Sequence, residues 1–170
     1  MARIPLITSR DQLGVEAQGV FDQIMESRGE VSRPFEVLLH APAAARKVAE
    51  LGHVVRYESR LSPADRELVT AATGRAHGCA FVWESHRDAA LAAGIDPDQI
   101  AAVGDGGREL SDRQRTLVSF VNELCSVGSI SQETFGAAVE IVGTTGVVEL
   151  VVTVGYYTML SYAMNALEAC

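Results

Sequence analysis

Three times in this chain a capping side chain, a helix-compatible first turn and an apolar run follow one another, and that recurrence commits most of the sequence to helix. Ser62-Pro63-Ala64-Asp65 offers a hydroxyl to unpaired N–H groups, a proline at the first helical position and an acid at the positive end of the dipole. Asp96-Pro97-Asp98-Gln99 and Ser111-Asp112-Arg113-Gln114 place a glutamine three residues after the cap, where it can return a hydrogen bond to the cap's own N–H. Helices are expected to begin near residues 63, 97 and 112. Apolar periodicity predicts further helices over about Glu16 to Ser27, Pro42 to Glu58, Cys79 to Ala93, Gln132 to Val142 and Val147 to Leu167. Strand-like alternation is nearly absent. The β-branched run Val147 to Val154 continues for some two dozen residues without a turn, far beyond the usual strand of about five or six, so it too is expected to be helical. The fold class is all-α.

A chain of 170 residues fits one domain, here residues 1–170, large enough to bury roughly two-thirds of the surface that its unfolded form exposes. With 22 acidic against 14 basic residues, a net charge of -8 and Lys47 as its single lysine, it has no basic stripe to follow a phosphate backbone. No nucleic acid partner is expected. Three cysteines, Cys79, Cys125 and Cys170, have neither the number nor the spacing of a disulfide scaffold, and with four scattered histidines they form no zinc-binding pattern. The expected metal set is none. Met-Ala-Arg-Ile-Pro lacks the charged start and apolar run of an export signal, and reduced thiols fit a cytoplasmic protein. The stretch Leu150 to Leu167 is uncharged for 18 residues, the lower limit of a membrane span. Its three tyrosines, Thr153, Thr158, Ser161 and Asn165, and the absence of flanking Lys or Arg, favour a buried or interface helix, so no membrane is expected.

The residues that carry chemistry lie in the series Glu67-x11-Cys79-x2-Val82-x3-His86. On a helix starting at Pro63, Glu67 shares a face with Ala64, Ala71 and Gly74, small residues that let a second helix come close. A carboxylate on such a packing stripe needs a partner or a role. Gly74 and Gly78 bracket a break, after which Cys79 opens a new helix, where unpaired N–H groups favour a thiolate. Seven residues at 100° each fall about 20° short of two turns, so Cys79 and His86 share a side, with Val82 between them. The acid, the thiol and the imidazole are expected to meet. Asp65, Arg66 and Arg75 are expected to point elsewhere. A segment 49 residues downstream, Leu110-Ser111-x3-Arg115-x-Leu117-Val118, echoes Leu61-Ser62-x3-Arg66-x-Leu68-Val69, but Thr116 stands where the first copy has Glu67.

These motifs resemble the carboxymuconolactone decarboxylase family, which includes the alkylhydroperoxidase-D-like proteins. The likeness is carried by Leu61-Ser62-x2-Asp65-Arg66-Glu67-Leu68-Val69, by Cys79-x-Phe81-x-Trp83-x2-His86 and by Ala93-Gly94-Ile95, within a core motif of about 43–125. Arg3-Ile4-Pro5-Leu6, Pro34-Phe35-x3-Leu39-x2-Ala41-Pro42 and Gly155-Tyr156-Tyr157-x-Met159 extend it over most of the chain. The resemblance implies a helical bundle that assembles as a homotrimer or homohexamer. In the peroxidase branch a glutamate, a C-x-x-C pair and a histidine resemble Glu67, Cys79, Val82 and His86; the second cysteine, assigned the attack on peroxide, is here Val82. Valine forms no disulfide, so dithiol turnover is expected to be lost.

Three readings follow. The first is a cofactor-free lyase acting on a small carboxylated or lactone molecule, with His86 as proton donor, Glu67 orienting it, Cys79 as a pocket wall, a proton relay or a residual redox centre, and Val82 and Trp83 as apolar walls against the substrate. Arg33 or Arg56 is a candidate to hold a substrate carboxylate. The second is a thiol-dependent peroxidase using Cys79 alone. The third is a non-catalytic oligomeric binding protein.

Overall fold

The computed structural model describes residues 2–104 and 108–170, and among these every regular element is helical. In chain order the α-helices are α1 (Val15–Arg28), α2 (Arg33–Leu38), α3 (Pro42–His53), α4 (Pro63–Ala76), α5 (Ala80–Ala92), α6 (Pro97–Ala102), α7 (Asp112–Val127) and α8 (Gln132–Ala166). The chain divides into two compact units, one of residues up to 58 together with 162–170, the other of residues 59–161. The three capping motifs act as their chemistry demands. Ser62 accepts a hydrogen bond from the Asp65 N–H, Asp96 from that of Asp98 and Ser111 from that of Gln114, and α4, α6 and α7 start at residues 63, 97 and 112.

In the first unit Phe21 and Ile24 of α1, Phe35 of α2 and Ala45 and Ala49 of α3 form an apolar core with Ile7 and Leu39. Arg28 lies 4.6 Å over the Phe35 ring and donates to the Ala49 carbonyl. Arg3 binds Glu168, tying the two ends of the described chain together. The helix expected to run from Pro42 to Glu58 changes its winding after His53 into a π-helical turn over Val54–Glu58.

The second unit is built around α4, which packs against α5 on one side and α7 on the other. Its core draws Leu68, Val69 and Ala72 from α4, Leu117, Phe120 and Val121 from α7, and Val147, Leu150 and Val154 from α8. The echoed segments are the starts of α4 and α7, and an ion pair links them: Arg113 grips the buried Asp65 carboxylate at 2.8 Å and also donates to the Ile141 carbonyl. Asp65 thus does point away from Glu67, into a contact of its own. The two C-terminal helices expected from the sequence are one run, Gln132–Ala166, broken at Gly143, whose φ of 71° and ψ of 170° are non-helical. The interruption falls in the Gly-Thr-Thr-Gly stretch between them but occupies one residue. By length and composition α8 is able to cross a membrane, yet Val147, Leu150 and Val154 are buried in the core; Val148, Val151 and Val152 are exposed.

Gly74 sets how closely α4 and α5 approach. A Cβ there would lie 2.7 Å from the Trp83 nitrogen and 2.8 Å from Val82 Cγ1, closer than real side chains pack. Because one obstacle is helix backbone, Gly74→Ala must push α5 outward. The expected cost is about 1–3 kcal/mol of folding stability, measurable by chemical denaturation, and a variant as stable as the parent would show that the seam yields freely.

Candidate active site

Glu67 lies on the middle of α4 and His86 two turns into α5, facing each other across the seam that Gly74 keeps narrow. His86 Nδ1 is 2.6 Å from Glu67 Oε2. Arg66, expected to point elsewhere, curls back so that Nε donates to the other carboxylate oxygen, Oε1, at 3.3 Å. All three side chains are largely but not wholly enclosed, with 13% of Glu67, 15% of His86 and 16% of Arg66 accessible, so each can be reached from solvent. From α8 the Tyr157 ring meets the imidazole edge-on with centroids 4.7 Å apart, and Tyr156 packs on Tyr157 in turn.

Burial by itself raises the Glu67 carboxyl. The hydrogen bond from His86, the charge of that ring and the neighbouring Arg66 outweigh it, and the group titrates below its ordinary value. Glu67 is therefore ionised near neutral pH and can only accept, which assigns the Nδ1 proton to His86 and leaves Nε2 as the nitrogen that Glu67 does not engage. A carboxylate that fixes one imidazole nitrogen while the other faces a ligand is suited to moving protons.

Cys79 is the N-cap of α5 rather than part of its first turn, and it is fully buried. About two helical turns, roughly 10 Å along the axis, separate its Cα from that of His86. The structure joins the acid and the imidazole directly and closes the thiol off from solvent. Val82 is also buried, against Gly74 in the α4 and α5 seam. Trp83 packs on the core of this unit with the Arg75 guanidinium 5.1 Å over its ring. Arg33 and Arg56 belong to the other unit, where Arg33 pairs with Glu36 and Arg56 lies over Tyr57. His77, given no role by its spacing, is 2.9 Å from the Thr158 hydroxyl, and burial lowers its pKa. A cavity of about 300 Å³ between α4 and α7, lined by Ala72, Arg75, Leu110, Arg115 and Asn122, lies away from the Glu67 and His86 pair. Among the described residues no three His, Cys, Asp or Glu side chains form a group able to hold a metal ion.

Residues 42–111, which hold Glu67, Cys79, Val82, Trp83 and His86, match the model of the carboxymuconolactone decarboxylase family. Over that stretch the chain is similar to this family. A solved structure from Ralstonia eutropha, described as an alkylhydroperoxidase AhpD core and an uncharacterized peroxidase-related protein, superposes with a TM-score of 0.80 at 18% identity, covering 99% of this chain and 91% of that one. That likeness establishes a shared all-helical fold. No curated protein matches the chain. The family segment ends before α8, so the Tyr157 edge of the site comes from outside it.

Arg66 and Tyr157 are the site residues that spacing alone does not single out. Both lie in the motifs that carry the family resemblance, Asp65-Arg66-Glu67 and Gly155-Tyr156-Tyr157, but adjacent helical positions diverge by 100° and only a long, flexible side chain closes that gap.

The depressed carboxyl makes a prediction about pH. A group titrating lower when folded adds stability that is present above its unfolded value and lost as pH falls through its folded value. From the ordinary 4.5 downward, the wild type should therefore lose stability faster than Glu67→Gln. Denaturation curves between neutral and strongly acid pH measure the difference, and parallel losses in the two proteins would remove the charged pairing.

Proposed function

We propose that the protein is a cofactor-free carboxy-lyase of the decarboxylase type, acting on a small carboxylated or lactone substrate by proton transfer at His86. The 2.6 Å contact between His86 Nδ1 and the ionised Glu67 carries this reading. In such a reaction the bond between the substrate carbon and its carboxylate breaks, carbon dioxide leaves, and the electron pair moves into a conjugated carbonyl as an enolate. That carbon then takes a proton from Nε2 of the protonated imidazole, whose charge Glu67 steadies. Tyr157 supplies a ring edge that keeps the imidazole in one plane and excludes water from one side. No step calls on a thiol.

The family name and the peroxidase-related description of the structural relative point to different chemistries, decarboxylation and peroxide reduction. Two observations favour the first. Peroxide reduction through sulfur needs a reachable thiolate, and Cys79 is enclosed. Its usual partner position holds Val82, which is also buried and cannot close a disulfide. The same reading makes the working unit a homotrimer or homohexamer, with the exposed Val148, Val151 and Val152 of α8 as contact surface. Sedimentation equilibrium should then return a multiple of 18.1 kDa, and a monomer at all concentrations would remove that part.

The test is carbon dioxide release from a panel of small γ-lactone acids. His86→Ala should lower the rate by about 10²–10⁴-fold, the usual contribution of a general acid, whereas Cys79→Ser should keep most of it. An unchanged rate in the histidine variant overturns the proposal. Loss of activity in Cys79→Ser, accompanied by thiol-dependent hydroperoxide consumption in the wild type, would transfer the function to sulfur.

A further inference from the structure

Two groups beside the Glu67 and His86 pair are not used by the chemistry above. The first is the Arg66 guanidinium. Among the described residues its polar contact is Nε to Glu67 Oε1, which fixes the plane of the fork and leaves the two terminal nitrogens to another acceptor. At 16% accessibility the side chain is mostly enclosed, while its terminal nitrogens are not among the buried, unpartnered atoms and so stand at the opening, where a ligand can reach them. The second is Thr70. Its side chain is fully buried and Oγ1 has no hydrogen-bond partner. Threonines on these helices ordinarily turn back to their own backbone, as Thr73 does to the Val69 carbonyl and Thr153 to that of Glu149. Thr70 does not.

Helix geometry places the two together. Thr70 is four residues after Arg66 and three after Glu67, the separations at which side chains on one helix become neighbours, with Cβ atoms about 5–6 Å apart. Arg66, Glu67 and Thr70 therefore form one patch of α4, with His86 bonded to its acid. A fork with two open donors and a buried hydroxyl one turn on match the two oxygens of a carboxylate, which takes bidentate N–H donation and a further O–H.

We propose that Arg66 and Thr70 are the carboxylate-binding half of this site, holding a carboxylate that the ligand retains while the carbon to be protonated meets His86. The assignment rests on the proton-transfer reading for its chemistry but not for its test, since binding is measured without turnover. It also replaces Arg33 and Arg56 as the carboxylate anchor. Thr70, bonded to no protein group, is a specificity residue whose hydroxyl is satisfied when ligand is present. Removing it should therefore not weaken the empty protein.

Two probes of matched ring shape separate the acid group from the ring: 5-oxotetrahydrofuran-2-carboxylate and neutral γ-butyrolactone. Affinities come from calorimetry and from the fluorescence of Trp83, the single tryptophan. The wild type should prefer the acid by about tenfold or more. Arg66→Met should abolish the preference, Arg66→Lys should retain part of it by charge without the fork, and Thr70→Val should weaken acid binding several-fold with an unfolding temperature equal to or above the parent's. His86→Ala should keep the preference. If the acid binds through Arg66 but no lactone acid is decarboxylated, the carboxylate site stands and the lyase reading falls. Equal affinity for the two probes in the wild type, no binding of either at millimolar concentration, or a folded Arg66→Met or Arg66→Lys protein with the full preference overturns the inference, as does a Thr70→Val protein that binds the acid as tightly as the parent.

Discussion

A single hydrogen bond between a carboxylate and an imidazole, made across two helices, organises this protein's candidate site. It is possible because α4 presents Gly74 toward α5 and no side chain stands between the two backbones at that point. Had the seam been lined with leucine, the helix axes would separate by the width of a side chain, and Glu67 would face either water or hydrocarbon. In water its charge would orient nothing. In hydrocarbon it would take up a proton. The close approach lets the acid stay ionised in a mostly enclosed place, with His86 and Arg66 compensating for the water it has lost.

The position of the thiol bears on chemistry in the same way. Cys79 and His86 share one side of α5, but they stand at different depths, the sulfur closed in at the N-cap and the ring near an opening. A sulfur with no exposed surface offers a dissolved oxidant no path, whereas the partly exposed ring can be reached from solvent. The two groups are thus suited to different tasks in one scaffold, and the accessible one is the group proposed above to carry the proton.

The helix starts were legible because capping is local chemistry: one side chain, one N–H group, three or four residues apart. Helices α4, α6 and α7 begin where their caps dictate. Helix α2, six residues long, escaped because less than two turns show no periodicity to read. The Glu67 and His86 contact was legible since each sat on the small, apolar side of its helix. Arg66 was not, because a flexible arginine reaches where its Cα direction does not indicate, nor was Tyr157, whose approach to His86 depends on how α8 packs on α5. The link between Asp65 and Arg113 joins residues 48 apart, and only tertiary structure brings such groups together.

The exposed valines of α8 have a consequence for how the molecule behaves in salt. Val148, Val151 and Val152 offer an apolar face on a chain of net charge -8. Copies meeting there gain by withdrawing hydrocarbon from water but must bring like charges together, so the encounter is opposed at long range and favoured at contact. Raising ionic strength weakens the repulsion and leaves the apolar attraction in place. Added electrolyte should therefore tighten such contacts rather than dissolve them, the reverse of an interface built on ion pairs.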